Sequence, residues 1–120
     1  MQPRDRTSLL DIIDQIQIIR SHLTGITYED FMSDVLRQDA VTRRIEIIGE
    51  AATRLSSAFR DAHPEVEWRD IRDMRNFLIH VYDQIDYEKV WDTVQQDLTP
   101  LLTAVERILA EDAASSGGSS

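Results

Sequence analysis

Residues 39–59, DAVTRRIEIIGEAATRLSSAF, carry Val41, Ile45, Ile48, Ala52, Leu55 and Phe59 at alternating steps of four and three. That rhythm lays one apolar stripe along an α-helix, and a stripe of this length needs a partner helix to cover it. Asp39 stands where an N-cap belongs. Gly49 interrupts the stretch at a cost of about 1 kcal/mol relative to Ala, which points to close backbone packing at that position. His63-Pro64 ends the helix, because the residue before a proline is pushed out of helical geometry.

The flanking sequence repeats the same grammar. Leu9, Ile12, Ile13, Ile16, Ile19 and Leu23 predict a first amphipathic helix, with Gly25 placed as its stop. Thr27-Tyr-Glu-Asp30 reads as a capping box with Asp in place of Glu, opening a short helix that carries Phe31, Val35 and Leu36. After the loop Glu65–Glu67, a fourth helix begins near Trp68 and buries Ile71, Met74, Leu78 and Val81. Asp86 caps the last helix, which carries Val90, Val94, Leu98, Leu101, Val105 and Ile108, and Pro100 inside it predicts a kink. No segment alternates with period two for long enough to form a strand. The expected fold is all-α: an antiparallel bundle of four long helices and one short one over residues 1–112, followed by a disordered tail at 113–120 that ends SSGGSS.

Composition narrows the function. The chain has 120 residues, 13 Lys+Arg against 22 Asp+Glu for a net charge of −9, and no cysteine. One domain is the natural reading at this length, and thiolate and iron–sulfur chemistry are excluded. No apolar run reaches the roughly 18 to 20 residues that cross a bilayer, and the N-terminus lacks a secretory pattern, so a soluble cytoplasmic protein is expected. The acidic balance argues against a simple electrostatic grip on nucleic acid. Twelve of the thirteen cations are Arg, Lys89 being the exception, and Arg offers a planar fork for carboxylates and phosphates.

His22, His63 and His80 stand far apart without the helical partners of a metal site, and no phosphate loop or nucleophile elbow is present, so neither metal nor cofactor is expected. The densest set of chemically able side chains is Arg72, Asp73, Arg75, Asn76, His80 and Tyr82. Asp73, Asn76 and His80 are spaced by three and four, hence on one helix face, while Arg75 and Tyr82 sit seven apart. Arg75 and His80 would lie about 140° apart on an ideal helix, too far for one helix to make a compact site. By spacing alone, an ion-paired Arg75, a helix-capping His80 and a core Tyr82 are the plainer reading.

The segment from Trp68 through Arg75-Asn76-Phe-Leu-Ile-His80-Val-Tyr82, followed by Asp86-Tyr-Glu-Lys-Val-Trp91, resembles the HepT branch of the HEPN superfamily, toxin partners of minimal nucleotidyltransferases. The signature of that branch is Arg, four residues, His, one residue, Tyr, and Arg75, His80 and Tyr82 fit it at every position. Asp39-Ala-Val41, the run Ile45 to Ala52, and Pro64 with Trp68 extend the likeness over roughly residues 5 to 110.

The resemblance implies a dimeric bundle in which the motif helices of two subunits face one cleft. Residues splayed on one helix could then converge with their symmetry mates, and a local cluster of Arg75 and Arg72 could outweigh the acidic body. It implies metal-independent RNA cleavage with Arg75 and His80 as catalytic residues, supported by Asn76 and Asp73. It further implies a toxin–antitoxin system, type VII-like, in which a nucleotidyltransferase antitoxin silences the chain by AMPylation of Tyr82. The expected partners are a second copy, that antitoxin and RNA, with no DNA and no membrane. Glu50 and Arg72 have no assigned role. The competing reading is a non-catalytic helical module whose job is to be bound and modified by a nucleotidyltransferase; a bundle that has lost its activity is the third.

Overall fold

The computed structural model describes residues 1–74, 76 and 84–118, with side chains through 115. Seven helices lie among them: α1 (Pro3–Leu23), α2 (Tyr28–Met32), α3 (Val35–Thr53), α4 (Ser57–Ala62), α5 (Trp68–Arg72), α6 (Tyr87–Gln96) and α7 (Leu98–Gly118). The all-α class is as the periodicity predicts. None of these helices is long and apolar enough to cross a membrane.

Side-chain ties show how the long helices run. Arg4 donates to the Arg54 carbonyl, Arg54 pairs with Asp11, Arg44 reaches Gln15, and Arg37 donates to the His22 carbonyl. Ascending residues on α1 therefore meet descending residues on α3, and the two are antiparallel. The same logic sets α7 against α1, through Met1 to Asp112 and Arg20 to Thr99. Between them lies the core, where Leu9, Ile12, Ile16, Ile19, Val41, Ile45, Ile48 and Val105 are fully buried. Each such aliphatic side chain contributes about 1.5 to 3 kcal/mol by leaving water.

Three boundaries differ from the sequence expectation. The N-cap of α3 is Asp34, whose side chain accepts from the Arg37 backbone N–H, so Asp39 lies inside the helix. That backbone N–H holds the Asp34 carboxyl below the usual carboxylate range, and the Arg37 side chain adds to the effect. The predicted helix over Val41–Phe59 breaks at Arg54–Ser56. Ser56 caps a separate α4 there, and the buried Asp5 carboxylate accepts from both its backbone N–H (2.7 Å) and its hydroxyl (2.8 Å). A polar side chain from α1 thus outcompetes helix continuation, while Leu55 and Phe59 still reach the core.

The last predicted helix is two helices divided at Asp97, with Pro100 in the first turn of α7. Proline costs least there, because first-turn N–H groups have no partner within the helix, so the chain turns before it rather than kinking at it. Among the described residues α1, α3 and α7 are the long helices; the predicted fourth, from Trp68 through Val81, runs into residues outside the described ones. Helical backbone continues through Gly118, beyond Ala113 where composition alone ends the folded part.

Other local signals hold. Gly25 follows α1 with φ +74, a conformation that favours glycine. Thr27 and Asp30 form the reciprocal capping box of α2, and Asp86 caps α6 by accepting from the Lys89 N–H.

Candidate functional site around the ends of the motif segment

Arg75, His80 and Tyr82 fall outside the described residues; Asp73 and Asn76 fall within them. The site is therefore built from its two borders, α5 on one side and α6 on the other, both of which pack against α3.

Helix α5 starts at Trp68, whose indole N–H donates to the His63 carbonyl at 2.9 Å and whose ring packs at 5.5 Å from Phe59. Trp68, Ile71 and Met74 turn inward and are buried, which commits Arg69, Arg72 and Asn76 to solvent. Gly49 of α3 faces the end of α5. A Cβ at that position would stand 3.1 Å from the Arg72 carbonyl oxygen and 3.3 Å from that of Ile71, both backbone atoms that cannot swing aside. The close packing that the sequence suggests for Gly49 is thus a contact between α3 and the end of α5.

At that end the helix loosens. Asp73 leaves regular geometry, and the Asn76 N–H donates to the Asp73 carbonyl at 2.8 Å. The Asp73 carboxylate accepts from Arg72 Nε at 3.3 Å, with both side chains 38% exposed. Asp73 and Asn76 are therefore neighbours, as their spacing predicts, but the Asp73 carboxylate is engaged by Arg72.

The second border is Tyr87, the first residue of α6. Its hydroxyl donates to Asp39 Oδ1 at 3.2 Å. Burial, then the Asp39 charge and the hydrogen bond to it, push the phenol above its ordinary pKa, so it stays protonated and able to donate at neutral pH. Further along α6, Trp91 lies against Phe31 and Tyr28 of α2. Burial and the charges of Glu88 and Asp92 raise the Tyr28 phenol as well.

One helix, α3, thus holds the chain on both sides of the motif segment, at Gly49 and at Asp39. These anchors lie ten residues apart, about 15 Å along the axis. Between them α3 presents Arg43, which pairs with Glu46 (3.3 Å) and Glu50 (3.4 Å). Glu50 is exposed and held by Arg43, beside the Gly49 contact. Sequence reasoning missed Arg43 and the Asp39–Tyr87 bond. The spacing of 43, 46 and 50 was available as a helical signal, whereas a bond across 48 residues leaves none. Among the described residues, no group of three His, Asp or Glu side chains gathers as metal ligands.

Comparison with known proteins bears on this arrangement. The family described as ribonuclease HepT-like matches residues 12–108, a range that holds both anchors and the segment between them. A protein named probable ribonuclease HepT from Thermococcus cleftensis is 37% identical over 108 residues, covering 90% of this chain and 98% of its own. A candidate RNase from Caldanaerobacter subterraneus subsp. tengcongensis is 35% identical, covering 89% of this chain and 96% of its own. Another, from Methanocaldococcus jannaschii, is 35% identical, covering 88% and 98%. No solved structure matches. A family match over this range, with relatives that align along nearly their whole length, means that the chain belongs to the HepT-like ribonuclease family.

Proposed function

We propose that this chain is a metal-independent ribonuclease, the toxin of a toxin–antitoxin pair, that cleaves RNA with Arg75 and His80. The observation that carries the reading is the order Arg75-Asn76-x3-His80-x-Tyr82 inside the region matched by the family. The relatives' names as RNases support it. So does the way α3 braces the chain on both sides of that order, through Gly49 and Asp39.

In the reaction the ribose 2′-oxygen attacks the adjacent phosphorus and the bond from phosphorus to the 5′-oxygen breaks. The product ends are a 2′,3′-cyclic phosphate and a 5′-hydroxyl. His80 accepts the 2′-hydroxyl proton and returns one to the leaving oxygen, imidazole being the side chain suited to exchanging a proton near neutral pH. Arg75 binds the phosphate oxygens through two N–H groups and stabilises the added charge of the phosphorane. Asn76 beside the motif is the candidate for orienting the imidazole. Asp73 can share that role only when Arg72 releases it.

Two copies of the chain pair so that their motifs share one cleft, which brings together the Arg75 and His80 that a single helix would splay apart. Control runs through Tyr82. A nucleotidyltransferase antitoxin transfers AMP from ATP to the phenol oxygen, pyrophosphate leaves, and the new phosphodiester occupies the anion site of Arg75.

The test is expression without a partner, comparing wild type with His80→Ala and Arg75→Ala, and assay of the purified proteins on RNA in the presence of a chelator. Growth arrest and cleavage by wild type, with rates lower by roughly 100-fold or more in each variant, are expected. Equal behaviour of all three proteins would leave the non-catalytic binding module in its place. The Tyr82 step is read by intact mass after incubation with the nucleotidyltransferase and ATP: an AMP adduct on wild type, absent in Tyr82→Phe. Light scattering on the purified chain reads the dimer.

A further inference from the structure

We infer that the outer face of α5, Arg69 with Arg72, is a binding strip for the RNA backbone, leading the strand to the cleavage motif; this rests on the ribonuclease reading above. The burial of Trp68, Ile71 and Met74 fixes the rotation of α5, so that Arg69 and Arg72 have no choice but to face solvent. Being three apart on a helix, their side chains are surface neighbours. Asn76 is exposed as well. The next residue after the buried Met74 is Arg75 itself.

What distinguishes this strip is its place, ending three residues before Arg75, together with how its cations are held. Of the other exposed arginines, Arg43, Arg54 and Arg107 are paired with carboxylates, whereas Arg4 and Arg20 donate to the Arg54 carbonyl and the Thr99 hydroxyl, and Arg6 stands on α1, far from the motif in sequence. Among the described residues no carboxylate engages Arg69. Arg72 has one contact, to Asp73 at 3.3 Å, half in water, and an ion pair that exposed is worth at most about 1 kcal/mol. A phosphate can therefore displace Asp73 at little cost, and the displaced carboxylate becomes free beside Asn76. Close packing of Gly49 against the Arg72 carbonyl sets this end of α5 directly on α3. On a chain of net charge −9, binding has to come from such local cations, because the overall field repels RNA.

The probe is a fluorescently labelled single-stranded RNA with every 2′-hydroxyl methylated, which removes the attacking group and separates binding from cleavage. Anisotropy titrations at several salt concentrations compare wild type with Arg69→Gln, Arg72→Gln and the double variant. Arg107→Gln removes an equal charge on α7. Each α5 variant is expected to weaken binding about three- to tenfold and to lower the slope of log affinity against log salt by about 0.7, with the double variant losing both. Arg107→Gln should stay within about twofold of wild type, and all variants should keep the wild-type helical circular dichroism. On cleavable RNA Arg69→Gln, which leaves the Arg72–Asp73 pair in place, should raise KM and leave kcat unchanged.

Wild-type binding with unaltered affinity and slope in the α5 variants overturns the strip and leaves the ribonuclease reading standing on His80. An equal loss in Arg107→Gln overturns it too, by showing a response to total charge. No salt-dependent binding by wild type would overturn both.

Discussion

The seam between α1 and α3 and the border where α3 meets α5 and α6 use the same helix for different ends. Along the seam, α3 spends Val41, Ile45 and Ile48 on contacts with no exposed area, and the energy is spread over many interchangeable aliphatics. Along the border, two single contacts do the holding: Gly49 against the Arg72 carbonyl and Asp39 against the Tyr87 hydroxyl. The seam makes the fold stable, whereas the border determines where the chemically able segment begins and ends. Damage to the seam should therefore appear as lost stability, and damage to the border as lost activity out of proportion to stability.

Four substitutions test that contrast. Ile45→Ala empties a fully buried site and should cost about 3 to 4 kcal/mol in denaturant unfolding, with the surviving folded fraction cleaving RNA normally. Gly49→Val places atoms within 3.1 Å of a backbone oxygen. It should cost about 2 kcal/mol and lower cleavage well beyond the unfolded fraction, as read by activity per folded molecule.

Tyr87→Phe deletes one partly exposed hydrogen bond, worth about 1 kcal/mol, and should lower kcat more than it lowers stability. The same bond gives an alkaline signature. A phenol whose pKa is raised in the fold contributes stability that is complete below its unfolded value near 10 and is lost as pH rises through the folded one. Wild type should accordingly lose stability above pH 10 more steeply than Tyr87→Phe in parallel melts. Leu36→Gln, at a side chain 84% exposed, should change stability by less than about 0.5 kcal/mol; a larger loss would mean that this surface is covered in solution.

Most of the scaffold was legible because it is written in local periodicity. The stripe from Val41 to Phe59 is buried, Gly25 stops α1, Thr27 with Asp30 caps α2 and Asp86 caps α6. The misread boundaries share one cause, competition from residues distant in sequence. Asp5 draws Ser56 out of the helix from 51 residues away. Arg37, tied to the His22 carbonyl, helps to fix Asp34 as the cap in place of Asp39. Val35 and Leu36, read as apolar positions of the short helix, are exposed at the start of α3, and of that set Phe31 is the one that enters the core, against Trp91.

At the site, the chain order Arg75, His80, Tyr82 came from the sequence, and so did the proximity of Asp73 to Asn76. That Asp73 is occupied by Arg72, and that Asp39 meets Tyr87, did not.

By itself the sequence determined the helical class, the inward face of each long helix and the identity of the residues able to do chemistry, since these depend on spacing along one chain. Only the tertiary structure decided which turns survive as helix, which arginines are spent on carboxylates, and that Gly49 and Asp39 brace the chain on either side of the motif. Apart from local pairs such as Arg43 with Glu46 and Glu50, those outcomes depend on contacts between residues distant in the chain, whose energies follow from distance in space and leave no period in the sequence.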